Sequence, residues 1–97
     1  MTLSVLMSVY KLEKPEYLDS SLQSVIKDQT LKPDNVIIVE DGPLTTELYD
    51  VISKWSNNPD VPMTIIKNEV NLVLTKSLNR GLVYVNTDFM LRMDRDD

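Results

Sequence analysis

The sequence predicts an α/β protein: a doubly wound parallel sheet with helices on both faces, in the order β-α-β-α-β-α-β. Three observations predict it. Four short runs rich in β-branched and apolar residues have the length of strands. Three segments between them place apolar residues at helical spacing. The two kinds alternate along the chain, and such alternation implies parallel strands joined by right-handed crossover helices.

The first strand is Leu3 to Tyr10, LSVLMSVY, a near-continuous apolar run of the kind buried on both faces. Lys11 to Pro15 is a polar loop, and Pro15 suits a helix start because the first turn does not use its missing N–H. Leu18, Leu22, Val25, Ile26 and Gln29 then share one face of a helix from Pro15 to Gln29. Lys32-Pro33-Asp34 is a turn signal before the second strand, Asn35 to Glu40. Asp41-Gly42-Pro43 breaks that strand. Leu44, Leu48, Val51, Ile52 and Trp55 mark the second helix, and Ser56 to Pro62 the loop after it. Met63 to Lys67 is the third strand. Leu74, Leu78, Leu82 and Val85 mark the third helix, with Gly81 inside it. Glycine costs about 1 kcal/mol there relative to alanine, so close packing on the sheet is the expected compensation. Thr87 to Met93 is the fourth strand, followed by Asp94-Arg95-Asp96-Asp97. Trp55 and Phe89 read as core residues. No repeat, low-complexity segment or linker interrupts the pattern.

Composition narrows the chemistry. Ten basic and fifteen acidic residues give a net charge of −5 without a basic cluster, so the footprint of a nucleic-acid binder is missing. No apolar run approaches the ~20 residues that cross a bilayer. Cysteine and histidine are both absent. That excludes disulfides, thiolate zinc sites, cysteine nucleophiles and imidazole acid–base catalysis. A metal ion here must be held by oxygen, which favours Mg²⁺, Mn²⁺ or Ca²⁺. Only Gly42 and Gly81 are present, so neither a G-x-G-x-x-G fingerprint nor a phosphate-binding P-loop exists. A bound diphosphate would then depend on a metal ion for neutralisation. The amino end enters a strand without a basic or apolar leader, and a cytoplasmic location is the expectation. The last residues lie at the carboxyl end of a strand, where open α/β sheets bind ligands, so a fragment of a longer protein is also expected.

The loops after the strands gather the candidate residues. Asp94, Asp96 and Asp97 form a D-x-D-D cluster. Alternate residues of an extended segment point the same way, and two carboxylates that close repel unless a cation lies between them. The competing reading is a solvated acidic tail. Glu40 and Asp41 follow the second strand, where an acid can accept from ribose hydroxyls or a base N–H. Asp41 could instead cap the second helix. Tyr10, at the end of the first strand, either lines a pocket or packs.

Four motifs together resemble family 2 glycosyltransferases. SVLMSVYKLEKPEYLDSSLQSV is similar to that family's opening strand and loop, VIIVEDGP to its VDDGS strand end, NLVLTKSLNRGL to its NxGlxxALNxGl helix, and FMLRMDRDD to its DaDD end. They occur in the family's order and span nearly the whole chain. The resemblance implies a GT-A, Rossmann-like fold that binds a nucleoside-diphosphate sugar, with UDP favoured, and a divalent Mn²⁺ or Mg²⁺. It implies that Ser8, Val9, Tyr10 and Glu13 hold the nucleotide and that Asp41 binds the base, with Glu40 beside it. Lys76 and Asn79 would flank the nucleotide. Asp94 would lie towards the ribose and diphosphate, Asp96 would reach the metal, and Asp97 is an additional acid. Glu40, Pro43 and Leu72-Val73 depart from the family's Asp, Ser and Gly.

The same resemblance implies inverting transfer to an acceptor hydroxyl, in bacterial surface polysaccharide synthesis, by a base that lies downstream of this chain. The isolated 97 residues are expected to be inactive. A lipid-linked acceptor at the inner face of the membrane and a homodimer through the sheet edge complete the expectation. The alternative is a non-catalytic nucleotide-binding, metal-binding or interaction module. A phosphohydrolase fits less well, because Ser8-Val9-Tyr10 stands where its nucleophilic Asp would be.

Overall fold

A computed structural model describes residues 2–27, 33–57, 61–70 and 74–93. Its elements are β1 (Leu3–Val9), α1 (Pro15–Ile26), β2 (Asn35–Asp41), α2 (Thr46–Ser56), β3 (Met63–Asn68), α3 (Leu74–Leu82) and β4 (Phe89–Met93). The expected alternation is present, and every strand pairing is parallel. The sheet order is β3-β2-β1-β4. The chain therefore winds outward one way from β1 through β2 to β3, then returns to place β4 on the other side of β1. That reversal is the switch point of a doubly wound sheet, and ligands bind outside the carboxyl ends of the strands that flank it.

The alternation of side chains along each strand divides the core in two. Val5, Met7 and Val9 of β1 and Val36 and Ile38 of β2 pack with Leu18, Leu22, Val25 and Ile26 of α1 and Leu48, Ile52 and Trp55 of α2. Leu6, Ile37, Val39 and Ile66 pack on the opposite face with Val85. α3 lies on that second face across β1 and β2. Its approach explains Gly81: a Cβ there would stand 3.0 Å from Val39 Cγ2 and closer still to Leu6 Cδ1. Helix propensity is given up so that the backbone can lie against the sheet.

α2 starts where Thr45 accepts a hydrogen bond from the Leu48 N–H at 3.2 Å. The helix cap is thus Thr45, and Asp41 is not used for that purpose. At the amino edge, polar groups join neighbouring strands. Asp34 accepts from the Leu3 N–H at 2.8 Å, and Asp88 accepts from the Thr2 N–H at 3.2 Å. On the surface, Asp19 of α1 accepts from Trp55 Nε1 at 2.6 Å and from Lys54 Nζ at 3.0 Å, joining α1 to α2. The Trp55 bond, then Lys54, hold the Asp19 carboxyl below its usual value of 3.8. A lowered acid contributes stability above its unfolded value and loses it as pH falls through the folded one. Asp19→Ala should therefore cost about 1 kcal/mol at neutral pH, mostly the indole bond, since exposed ion pairs add little. In thermal melts, the gap between variant and parent should close as pH falls below 3.8. A gap that stayed constant down to acid pH would show that the charge of Asp19 is immaterial.

Several boundaries and one residue differ from expectation. β1 ends at Val9 rather than Tyr10, β2 and β3 each extend one residue further, and β4 begins at Phe89 rather than Thr87. α1 ends at Ile26, and Gln29 lies outside the described residues. Leu44 precedes α2, and Val85 follows α3 yet packs in the core. The side chains of Leu74 and Leu78 also lie outside the description. Phe89, expected in the core, is 55% exposed. β4 is an edge strand, and Leu91 beside Val5 is likewise 51% exposed. Among the described residues nothing covers that strip. No helix of the described residues is long and apolar enough to cross a membrane.

Candidate functional site

At the carboxyl edge the two neighbouring acids of β2 part company. Val39 lies on the α3 face and Ile38 on the α1/α2 face, so Glu40 continues the latter and Asp41 the former. Both are buried. Register places Glu40 beside Lys67 and Asp41 beside Asn68. Burial raises the Glu40 carboxyl above its ordinary 4.5, and the Lys67 charge opposes that rise. A raised acid weighs against the fold once it ionises, so this cost is present above the folded value and gone below 4.5.

Asp41 sits in a chain of hydrogen bonds. Asn68 Nδ2 donates to Asp41 Oδ1 at 3.2 Å, and Arg80 Nη1 of α3 donates to Asn68 Oδ1. Gly42, the next residue, has φ of 85°, a left-handed backbone that favours glycine. It turns the chain off the sheet immediately after the acid. Ser8 of β1 is buried and shares the parity of Leu6, so it stands on the Asp41 face.

Two recesses flank this edge. One is an open cleft of about 240 Å³ lined by Glu40, Gly42, Pro43, Tyr49, Lys67, Asn68 and Glu69. That is the scale of a base or sugar ring, just under the ~300 Å³ where ligand pockets begin. Its wall is fixed by the Leu44 N–H, which donates to the Tyr49 hydroxyl at 3.0 Å. The other, about 10 Å³, lies beside the switch point between β1, β4 and α1, lined by residues that include Ser8, Glu13, Tyr17 and Met93. The Glu13 N–H donates to the Tyr10 carbonyl at 3.0 Å, closing the turn after β1 and burying Glu13.

The fold thus brings Ser8, Glu40 and Asp41 to one edge. Val9 is buried in the α1/α2 core, Tyr10 is half-buried, and Glu13 faces α1. Lys76 and Asn79 are exposed on α3, and the residue that reaches the Asp41 chain is Arg80, next to Asn79. Asp94, Asp96 and Asp97 lie outside the described residues, directly after β4. Among the described residues no group of three or more acids could hold a metal ion. The sequence places Asn68 in the crevice loop after the third strand but gives it no role, and it does not single out Arg80. Their signal was faint: an amide at a strand end, and a basic residue beside a helix glycine.

Comparison with solved structures defines the class. The chain superposes on Staphylococcus aureus TarS with a TM-score of 0.75 over 97% of its length, at 22% identity and 16% of that chain. A TarS structure in complex with UDP gives 0.73 over 99% of this chain and 28% of that one, at 22% identity. The fold is therefore the GT-A fold expected. The model of the Glycosyl transferase family 2 matches residues 4–97, and the chain belongs to that family. Members generally use a divalent metal ion.

Among its relatives is the amylovoran biosynthesis glycosyltransferase AmsE of Erwinia amylovora, 43% identical over 97% of this chain and 34% of its own length. Another is the UDP-Gal:alpha-D-GlcNAc-diphosphoundecaprenol beta-1,3-galactosyltransferase of Escherichia coli, 39% identical over 97% of this chain and 33% of its own. The chain spans about a third of the length of these relatives.

Proposed function

We propose that residues 1–97 are the nucleotide-sugar-binding part of a GT-A domain whose acceptor-binding half lies elsewhere in the protein. The observation that carries this reading is Asp41: a carboxylate buried at the carboxyl edge of β2, held by Asn68 and not consumed as a helix cap, in a chain of this family. Asp41 accepts the base N–H. Glu40, Ser8, Tyr10 and the backbone of Val9 shape the nucleotide's surroundings, and Glu13 supports the β1 loop. Lys76 and Asn79 flank the nucleotide from α3.

Asp94, Asp96 and Asp97 would hold the ion, Asp96 foremost, and Asp94 would also serve the ribose and diphosphate. The chemistry of this donor set fits Mn²⁺ or Mg²⁺, since hard cations take oxygen. When bound, the ion supplies positive charge to the leaving diphosphate. The acceptor hydroxyl loses its proton to a base outside this chain, and its oxygen displaces the nucleotide at the anomeric carbon with inversion. The name of the Escherichia coli galactosyltransferase supports use of a UDP-sugar and an acceptor linked to diphosphoundecaprenol, and that of AmsE supports a biosynthetic role such as that in amylovoran formation. The reading carried with them is surface polysaccharide synthesis on a lipid-linked acceptor at the inner face of the membrane. The same relatives disfavour a non-catalytic module.

The test is calorimetric titration of UDP with and without Mn²⁺. Metal-dependent binding is expected. Absence of binding to the full-length protein under both conditions would overturn the donor-site reading.

The exposed Phe89 and Leu91 on an edge strand further support self-association of the isolated chain through β4. Sedimentation should give a dimer that Leu91→Lys dissociates. A monomer at every concentration would end that reading.

A further inference from the structure

We infer that Arg80 and Asn68 are positioning residues for nucleobase recognition: Arg80 sets the orientation of the Asn68 amide, and that amide sets Asp41. The inference rests on the base-binding reading of Asp41 and adds two residues to it.

The direction of the chain follows from donor and acceptor inventories. A guanidinium only donates, an ionised carboxylate only accepts, and an asparagine amide does one at each end. Asn68 is placed between them, bonded to both Arg80 and Asp41. With its oxygen turned to Arg80, its NH₂ must face Asp41. The flipped amide would set oxygen against carboxylate and NH₂ against guanidinium, losing both bonds. The Asp41 carboxylate favours this rotamer from the NH₂ end, and Arg80 reinforces the same choice from the oxygen end. Asn68 is 4% exposed, and Asp41 is 1% exposed, so a wrong amide would leave buried groups without these bonds. Arg80 itself is exposed on α3, so its removal opens no cavity and costs the fold only the bond to the Asn68 oxygen.

Asp41 held in one plane presents its acceptor oxygens in a fixed direction. A base with an N–H at that point, as in uracil, is bound, and one with an acceptor there, as in cytosine, is rejected. Loosening the amide should blur that choice.

The experiment measures UDP and CDP affinities with Mn²⁺ for the full-length protein and its variants. Arg80→Ala should weaken UDP binding about fivefold, narrow the UDP-over-CDP preference by a similar factor, and lower the melting temperature by no more than a few degrees. Arg80→Lys should recover part of the loss. Asn68→Asp, which sets two carboxylates together, should have at least the effect of Arg80→Ala. In an Asp41→Ala background, Arg80→Ala should add nothing, because it acts through Asp41.

Equal weakening of UDP and CDP, or full additivity with Asp41→Ala, would mean that Arg80 contacts the ligand independently and would overturn the inference. So would an unchanged affinity in Arg80→Ala while Asp41→Ala is impaired. Unimpaired binding in Asp41→Ala would instead remove the base-binding reading itself, and the positioning role with it.

Discussion

Asp96→Ala should abolish metal-dependent binding of UDP, raising Kd by more than about a hundredfold, above the loss typical of outer-sphere changes at metal sites. The size of the effect follows from charge. These 97 residues carry −5 and have no P-loop and no fingerprint of glycines, so they would offer a diphosphate few fixed positive groups. Asp94, Asp96 and Asp97 add to the repulsion until a divalent cation neutralises them. If Asp96 is the foremost ligand as proposed, its removal leaves a site that repels its anionic ligand. Asp41→Ala should give the informative contrast: weaker binding, still dependent on Mn²⁺, because the proposed base contact would be lost while the proposed ligands of the ion remain. Titration with and without Mn²⁺ separates the two. A Kd for UDP that is the same with and without the ion, in both parent and Asp96→Ala, would refute the assignment of that cluster.

Gly81→Val should destabilise the domain by about 3 kcal/mol, the upper part of the range for overpacked cores. For a chain of this size that lowers Tm by roughly 15 °C. The added atoms would enter space already taken by Leu6 and Val39, both fully buried. α3 would have to lift from β1 and β2, breaking the second core layer. Gly81→Ala should be much milder. Its single Cβ meets the same neighbours, but alanine recovers about 1 kcal/mol of helix propensity. Thermal denaturation of the three proteins checks the order. A Gly81→Val melt within a degree or two of the parent would show that α3 does not rest on Gly81.

These two residues were both visible in the sequence, for different reasons. Gly81 stood out because a glycine inside an amphipathic helix has a cost that something must offset. The aspartates stood out because like charges crowd at a strand end. Asp41 was visible but ambiguous, since an acid before a proline also reads as a helix cap. Thr45 resolved that, by taking the cap of α2 with its own hydroxyl. Phe89 was misread because an apolar strand has the same pattern at the edge of a sheet as in its centre.

The sequence by itself determined the alternation of strands and helices, hence the parallel sheet. It also limited any metal ligand that these 97 residues could supply to oxygen, through the absence of histidine and cysteine, and it carried the family resemblance that the comparisons bear out. Those are matters of period, composition and local spacing, which a linear string records. Only the tertiary structure decided which face each β2 acid occupies, because side-chain alternation fixes their opposition but not which helix covers which face. It alone joined Asp41, Asn68 and Arg80, which come from three elements. It alone paired Asp19 with Trp55 across two helices. Contacts between distant residues depend on how elements pack, and no periodicity along the chain encodes them.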